Sequence, residues 1–410
     1  MKKQQIKNGI IALSIICIIL IVCLASTLFT GYTPSNIFSF DDSDLNLIKT
    51  ERIQLTAEDT LTVSAGYGDV VLEESQTDEL VIEEYCNKEL AVDKQFSVTT
   101  SEDNILIKTN SDGLNSYNLF SFHKYKILKI YIPASYTNHL NIETKSGEVI
   151  SNIDLVMENI TITTSSGDIN IRNLTGDQIA LGATSGEIYA DTIVDSSQNN
   201  ENKNESVNIT IKTSSGDIQV EEIWGNTSLS STSGMITAGS LLGDSEIKTT
   251  SGDIQLDSVQ GDLHLSASSG EVSVFDLTGN GDFSTTSGDI QIDNVQGELY
   301  LSSSSGEISV FDFIGNGKFI TTSGDIKVAF QEITGDVLIN ASSGEVKCSI
   351  PEDAAFEFLA NTSSGEITTS FDDNLLFNKK GNNASGSIGN NVANTMNIST
   401  TSGDITVMWK

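Results

Sequence analysis

A Ser-Gly pair followed by an acidic residue recurs along most of this 410-residue chain. Fourteen Ser-Gly pairs occur between residues 146 and 403, and twelve of them directly precede Asp or Glu. Six consecutive intervals between their glycines, from Gly216 to Gly324, are 18 residues long. A fixed period with a glycine at each corner is typical of a solenoid, in which each repeat packs only on its neighbours. The sequence therefore predicts stacked coils and not separate globular domains.

The clearest repeat is a double unit. Residues 250–285 and 286–321 align without gaps, and 26 of the 36 positions are identical. A second glycine follows the first after nine residues, as in Gly252 and Gly261, so each coil should comprise two short strands and two turns. Because alternate residues of a strand face opposite sides, the pattern predicts an inward apolar row and an outward polar row. The predicted inward residues are Ile254, Leu256, Val259, Leu263, Leu265, Val272, Val274, Leu277 and Phe283, and the outward ones are Gln255, Asp257, His264 and Ser273.

These patterns predict an all-β fold, a parallel β-solenoid (β-helix) of about 13–14 coils over residues 146–410. Residues 51–145 alternate like strands without the regular period, so we expect a β cap there, because open sheet edges promote aggregation. The polar insert 195–206 should loop out from the solenoid. Toward the C-terminus, residues 385–387 are interpreted as a degenerate corner. The final strand is expected to close that end with the bulk of Trp409.

An uncharged, proline-free and largely apolar run extends from Ile10 to Phe29. A helix of this length spans about 30 Å, the thickness of the hydrocarbon core of a bilayer. Lysines precede the run and aspartates follow it, which favours a cytoplasmic N-terminus. We therefore expect a single-pass protein of the cell membrane, with a cytoplasmic tail (1–9), one transmembrane helix (10–29), a tether (30–50) and the remaining chain outside. A cleaved signal peptide is the alternative interpretation.

The chain is strongly acidic. It contains 22 Lys and Arg against 56 Asp and Glu, a formal net charge of −34. Such a surface repels phosphate backbones, so nucleic acid is excluded as an expected partner. Basic partners and cations are favoured by the same field.

The acidic residues that follow the corner glycines are the first candidate site. Parallel stacking should place equivalent residues about 4.8 Å apart, so their charges would repel by about 0.9 kcal/mol in water. The favoured interpretation is structural, with each carboxylate accepting hydrogen bonds from turn amides. The sharper alternative is a calcium ladder, in which Ca²⁺ bridges adjacent coils through oxygen ligands. The residues concerned are Asp253, Glu271, Asp289, Glu307 and Asp325. No other metal or cofactor is predicted.

A hydroxyl residue also recurs two positions before the corner glycine. Side chains in register can hydrogen-bond along a stack, which would stabilise it. The same hydroxyls are also considered as a strip that binds sugars. They are Thr250, Ser268, Thr286, Ser304 and Thr322.

One motif carries a family resemblance. Thr-Thr-Ser-Gly-Asp-Ile stands at residues 249–254, 285–290, 321–326 and 400–405. With this repeat over residues 50–410, the chain resembles the bacterial membrane-anchored β-strand-repeat proteins known as the "putative adhesin" family, a domain of unknown function. The resemblance implies a β-repeat fold. It also implies a surface or regulatory role, since some relatives look like components of cell-envelope stress systems.

The sequence thus predicts a non-catalytic cell-surface module, adhesin-like or a scaffold, that binds through a repetitive acidic surface. Its expected partners are the bilayer, through residues 10–29, and an envelope polymer or a membrane protein. An extracytoplasmic sensor or regulatory component of an envelope stress system is the alternative function. A carbohydrate-active enzyme is less favoured, because glycoside hydrolysis needs a distinct carboxylate pair and almost every carboxylate here belongs to an interchangeable repeat. No catalytic residue is therefore assigned.

Overall fold

The computed structural model describes residues 45–56, 59–109, 125–199 and 207–410. The predicted cytoplasmic tail and the membrane helix at 10–29 lie outside these residues, as does most of the tether and of the insert 195–206. Within the described ranges, no helix has the length and apolar character needed to cross a membrane. The short helices there are three 3-10 turns, at Val92–Lys94, Ser196–Asn199 and Asp372–Asn374.

Short runs rich in β-branched residues, bounded by Gly, Asn and Asp, form strands throughout the described chain. The N-terminal strands are β1 (Asn46–Gln54), β2 (Thr60–Tyr67), β3 (Asp69–Glu74), β4 (Glu79–Cys86), β5 (Ser97–Ser101), β6 (Asn104–Lys108), β7 (Lys126–Ile132), β8 (His139–Ser146), β9 (Val149–Ser151) and β10 (Leu155–Val156). The central strands are β11 (Asn159–Thr164), β12 (Ile169–Gly176), β13 (Gln178–Ala183), β14 (Ile188–Asp195), β15 (Ile209–Thr213), β16 (Ile218–Trp224), β17 (Thr227–Ser231), β18 (Ile236–Leu242), β19 (Ser245–Thr249), β20 (Ile254–Gln260), β21 (Leu263–Ser269), β22 (Val272–Thr278) and β23 (Gly281–Ser287). The C-terminal strands are β24 (Ile290–Ile292), β25 (Val295–Ser303), β26 (Ile308–Ser323), β27 (Ile326–Ser343), β28 (Val346–Ile350), β29 (Phe356–Ser364), β30 (Ile367–Thr369), β31 (Leu376–Phe377), β32 (Asn383–Ile388), β33 (Asn394–Ser402) and β34 (Ile405–Trp409).

The strands form two parallel sheets, and each coil contributes one strand to each sheet. In the first sheet the parallel order is β6, β2, β8, β11, β13, β15, β17, β19, β21, β23, β25, β26, β27, β33, β29. In the second sheet it is β7, β3, β9, β12, β14, β16, β18, β20, β22, β24, β26, β27, β28, β34, β30. The long strands β25, β26 and β27 continue around the corner and belong to both sheets. The described chain therefore stacks fifteen coils. Two of them, β6 with β7 and β2 with β3, precede residue 139, and the other thirteen agree with the 13–14 predicted for residues 146–410.

The inward rows of the two sheets form one continuous apolar core. All nine predicted inward residues of the double unit are buried, and Phe283 is among the largest fully buried side chains. Gln255, Asp257 and His264 are exposed, and Ser273 is partly exposed. The predicted alternation is thus confirmed, because a strand with one face on a core must keep its apolar residues on that face.

At the N-terminal end the coils do not follow chain order. The coil formed by β2 and β3 pairs with β8 and β9 on one side and with β6 and β7 on the other, although β6 and β7 come later in the chain. Stacking thus extends N-terminal to residue 146, into the segment predicted as a cap. Strand β5 pairs antiparallel with β6, and β4 pairs antiparallel with β7, so they extend the two sheets beyond the coil of β6 and β7. The strand β1 begins at Asn46, so residues 46–50, which were predicted as part of the tether, belong to a strand.

The C-terminal end shows the same exchange of order. Strands β33 and β34 insert between the coil of β27 and β28 and the coil of β29 and β30. The expectation that the final strand closes the solenoid was therefore wrong, because β34 is an internal strand with partners on both sides. Residues 385–387 do not form a corner either, since they lie in β32, which pairs antiparallel with β29. This arrangement holds β34 in place, because β34 cannot leave without breaking two ladders of hydrogen bonds.

Candidate functional site

The five predicted corner acids lie in one line. Each stands directly after its corner glycine, at the start of a second-sheet strand. The strands pair in register through the residue that follows each acid. Neighbouring acids are therefore about one strand spacing, 4.8 Å, apart. Asp253, Glu271 and Asp289 are exposed, and Glu307 and Asp325 are partly exposed.

Aspartate occupies every second position of this line and binds the next coil. The Asp253 carboxylate accepts a hydrogen bond from the backbone N–H of Glu271 at 2.8 Å, and Asp289 accepts one from Glu307 at 2.7 Å. The same bond joins Asp69 to Glu148, Asp168 to Glu187, Asp217 to Met235, Asp325 to Glu345 and Asp404 to Glu366. We call these fourteen residues the corner ladder. In space they alternate Asp with Glu throughout, with one exception at Met235.

The two residue types therefore have different roles. The short aspartate side chain reaches the amide of the next coil, which satisfies a polar group and fixes the stacking. The longer glutamate side chains do not accept this inter-coil hydrogen bond, so their carboxylates can interact with other partners. Those of Glu187, Glu271 and Glu366 are exposed and make no hydrogen bond or ion pair with any residue that the structure describes.

Two other ladder glutamates are paired with lysine. Lys327 donates to the Glu307 carboxylate at 2.7 Å, and Lys347 contacts Glu345 at 2.7 Å. The hydrogen bond from Lys327 lowers the pKa of the Glu307 carboxyl group. At the N-terminal end, burial raises the pKa of Glu148, and the neighbouring charges of Asp69 and Asp168 add to the effect. Repulsion between neighbouring corner acids therefore contributes to the shift at Glu148, after burial.

The predicted hydroxyl ladder is exposed in all five coils. The hydroxyls that stabilise the corner come one residue earlier and are buried. Oγ1 of Thr249 accepts the backbone N–H of Gly252 at 3.0 Å, and Oγ of Ser231 accepts that of Gly234 at 2.8 Å. The Thr-Thr pair of the motif could have indicated this buried hydroxyl. Only one of two adjacent strand residues can face inward, so one threonine of the pair had to be buried.

The calcium alternative is less compatible with this geometry. Each ladder aspartate already uses one carboxylate oxygen to accept an amide. Among the described residues, no group of three or more His, Cys, Asp or Glu side chains is arranged to hold a metal ion. We expect the melting temperature of the purified chain to be the same in millimolar Ca²⁺ as in a chelator. An increase that Asp253→Asn and Asp289→Asn together remove would instead support the calcium ladder.

One ladder member escaped sequence analysis. Asp69 follows Gly68 without a preceding serine, and only the Gly-Asp pair could have indicated its role. Asp404 and Glu366 carry the full motif, but their order in space is the reverse of their order in the chain.

Parallel coils with glycine corners and an acidic corner ladder define a class of β-repeat proteins. The family model described as Toastrack DUF4097 matches residues 58–203, 194–278 and 277–408, which together cover most of the chain. The chain belongs to the Toastrack DUF4097 family, which confirms the resemblance seen in the motif. The comparison with curated proteins finds no match.

Solved structures show more distant likeness. A putative cell adhesion protein from Clostridium sporogenes is 11% identical, with a TM-score of 0.18, over 89% of this chain and 100% of that one. A putative adhesin from Bacteroides fragilis is 12% identical, with a TM-score of 0.29, over 65% of this chain and 97% of that one. A putative lipid binding protein from Parabacteroides distasonis is 14% identical, with a TM-score of 0.28, over 73% of this chain and 96% of that one.

Proposed function

We propose that this chain is a non-catalytic, adhesin-like surface module whose corner ladder binds basic partners. The observation that carries the proposal is that the aspartates and the glutamates of the ladder have different contacts. Aspartates fix the stacking, while the unpaired carboxylates of Glu187, Glu271 and Glu366 remain exposed at fixed positions.

Such a line suits multivalent binding. A single exposed ion pair contributes only about 0–1 kcal/mol, so one glutamate would bind a basic group weakly. The carboxylates are held on one backbone. Once the first basic group of a partner has bound, further groups bind without a second loss of translational and rotational entropy, so the overall affinity increases with each contact. The net charge of −34 steers basic partners toward the chain.

The proposal places the module outside the cell membrane, anchored by residues 10–29. In this setting the basic partner is a cationic envelope polymer or a membrane protein. The alternative is an extracytoplasmic sensor in an envelope stress system. Recovery of one stoichiometric membrane-protein partner after crosslinking in the membrane would favour the sensor.

Poly-lysine of about twenty residues is a direct probe of the ladder. We expect it to bind the full-length chain with an affinity that falls steeply as salt rises. The triple variant Glu187→Gln, Glu271→Gln, Glu366→Gln should weaken binding about threefold to tenfold, because three exposed charges are lost. Calorimetric titration measures both effects.

A matched variant removes the same charge from the sheet faces. Glu221→Gln, Asp257→Asn and Asp282→Asn neutralise three exposed acids outside the ladder. This control should bind poly-lysine nearly as well as the unmodified chain. Equal losses in the two triple variants would mean that net charge alone attracts the probe, and the ladder would then not be a site.

A further inference from the structure

A second candidate site lies on the outer face of the second sheet, away from the corner ladder. It is a groove of about 430 Å³ that crosses five successive coils, from β20 to β27. Five coils at about 4.8 Å spacing extend over about 19 Å. We call it the polar groove and define it by Gln260, Asp276, Asn294, Gln296, Asp312 and Gln331. An open groove of this length suits a chain of linked units better than a single small molecule.

Most polar side chains of this groove have hydrogen-bonding capacity to spare. Gln260, Asp276, Asn294 and Gln296 make no side-chain hydrogen bond or ion pair within the described part of the chain, although they lie side by side along the stack. Asp276 is moreover only partly exposed. A polar group withdrawn from water is costly unless it finds a partner, so a ligand rich in donors would be favoured here.

The charge in the groove points to a neutral ligand. Asp312 accepts hydrogen bonds from Gln331 Nε2 at 2.7 Å and from Lys410 Nζ at 2.9 Å, so its charge is offset. Asp276 is then the only groove carboxylate without a partner in the described part of the chain, beside several amides. An amide both donates and accepts, as a hydroxyl does, and the two form complementary pairs.

Two exposed phenylalanines accompany the groove. Phe275 is 56% exposed and Phe311 is 39% exposed, and each directly precedes a groove aspartate. They lie two coils apart, which corresponds to about 10 Å. The Phe-Asp pair is present in both copies of the duplicated unit, although the two copies differ at ten of their 36 positions. The two rings are not part of the groove lining, but aromatic rings bury apolar ligand faces well, so each offers an apolar contact beside a lining aspartate.

We propose that the polar groove binds a neutral polysaccharide of hexose units, with its chain along the stack. Sugar hydroxyls would pair with the groove amides and with Asp276. The apolar faces of alternate rings would pack on Phe275 and Phe311. The site is independent of the corner ladder, which contributes no residue to it.

We assign binding, and not hydrolysis, to the polar groove. Glycoside cleavage needs an acid whose pKa is raised, so that it holds a proton near neutral pH. The hydrogen bond from Lys410 instead lowers the pKa of Asp312.

Three neutral hexasaccharides test the proposal, built from glucose, mannose or N-acetylglucosamine. We expect at least one to bind the full-length chain with a Kd below about 1 mM in calorimetric titration. The double variant Phe275→Ala, Phe311→Ala should weaken that binding about tenfold or more. Its circular dichroism spectrum should be unchanged, since both rings are exposed.

Two control variants test whether the sugar binds in the polar groove itself. Tyr300→Ala removes an aromatic ring that is also 39% exposed but lies in the first sheet, and it should leave binding intact. The ladder variant Glu187→Gln, Glu271→Gln, Glu366→Gln should bind the hexasaccharide normally, even if it no longer binds poly-lysine. The proposal is overturned by no binding to any of the three sugars, by equal effects of the Phe and Tyr variants, or by release of shorter sugar products.

Discussion

Gly288→Ala is expected to destabilise the solenoid by about 3 kcal/mol or more, which is the upper range for overpacking. A methyl group built on Gly288 would lie 1.9 Å from the carbonyl oxygen of Gly270 in the adjacent coil. That obstacle is backbone, so it cannot move aside like a flexible side chain. The two coils would have to separate, which breaks the hydrogen bond from the Val272 amide to the Asp289 carbonyl between them. Urea unfolding followed by circular dichroism measures the loss.

Gly182→Ala is the matched control. It also adds one methyl group to a glycine of the stack, but its nearest neighbour is Cγ2 of Thr163 at an ordinary 3.4 Å. We expect its stability to remain within about 0.5 kcal/mol of the unmodified chain. If the two variants were equally stable, close backbone stacking would not be the reason for the corner glycines.

The interior of the solenoid was predictable because its period is enforced by packing. Ile254 and Val272 fall in register only if each coil has the same length, and both must face the core. The 18-residue spacing of the corner glycines therefore determined strand positions, turns and the inward row together. The corner acids followed from the same spacing, since each is fixed to its glycine.

The ends were not predictable in the same way. Which strand lies beside β29 depends on pairing with β33, about thirty residues away, and no periodic signal specifies that order. In the chain Glu366 precedes Asp404, but in space Asp404 comes first, because β33 and β34 lie before β29 and β30 in the stack. The alternation of Asp and Glu is regular at this end only in the spatial order. Residues of the polar groove were also missed, because the period constrains inward positions and leaves outward side chains free to vary.

The N-terminal end depends on one buried ion pair. Glu84 of β4 is fully buried and contacts Nζ of Lys126 at the start of β7, which is almost buried as well. The same carboxylate accepts the backbone N–H of Phe96 at 3.1 Å, just before β5. Glu84 therefore connects β4 with β7 and with the residue just before β5, and its charge has little access to water.

Lys126→Met is expected to cost about 3–5 kcal/mol locally, because it leaves the Glu84 carboxylate buried without a counter-charge. The loss should be confined to the N-terminal coils, since each coil of a solenoid contacts only its neighbours. Hydrogen exchange of the amides in β4 and β7 therefore measures it better than global unfolding does.

The double variant Lys126→Met, Glu84→Gln isolates the cause. Glutamine keeps an oxygen that accepts the Phe96 amide but carries no charge, so most of the protection lost in Lys126→Met should return. If the double variant exchanged as fast as Lys126→Met alone, lost packing of the lysine stem would account for the effect, and an uncompensated charge would not. Recovery in the double variant would instead show that the pair is maintained because neither charge can be buried without the other.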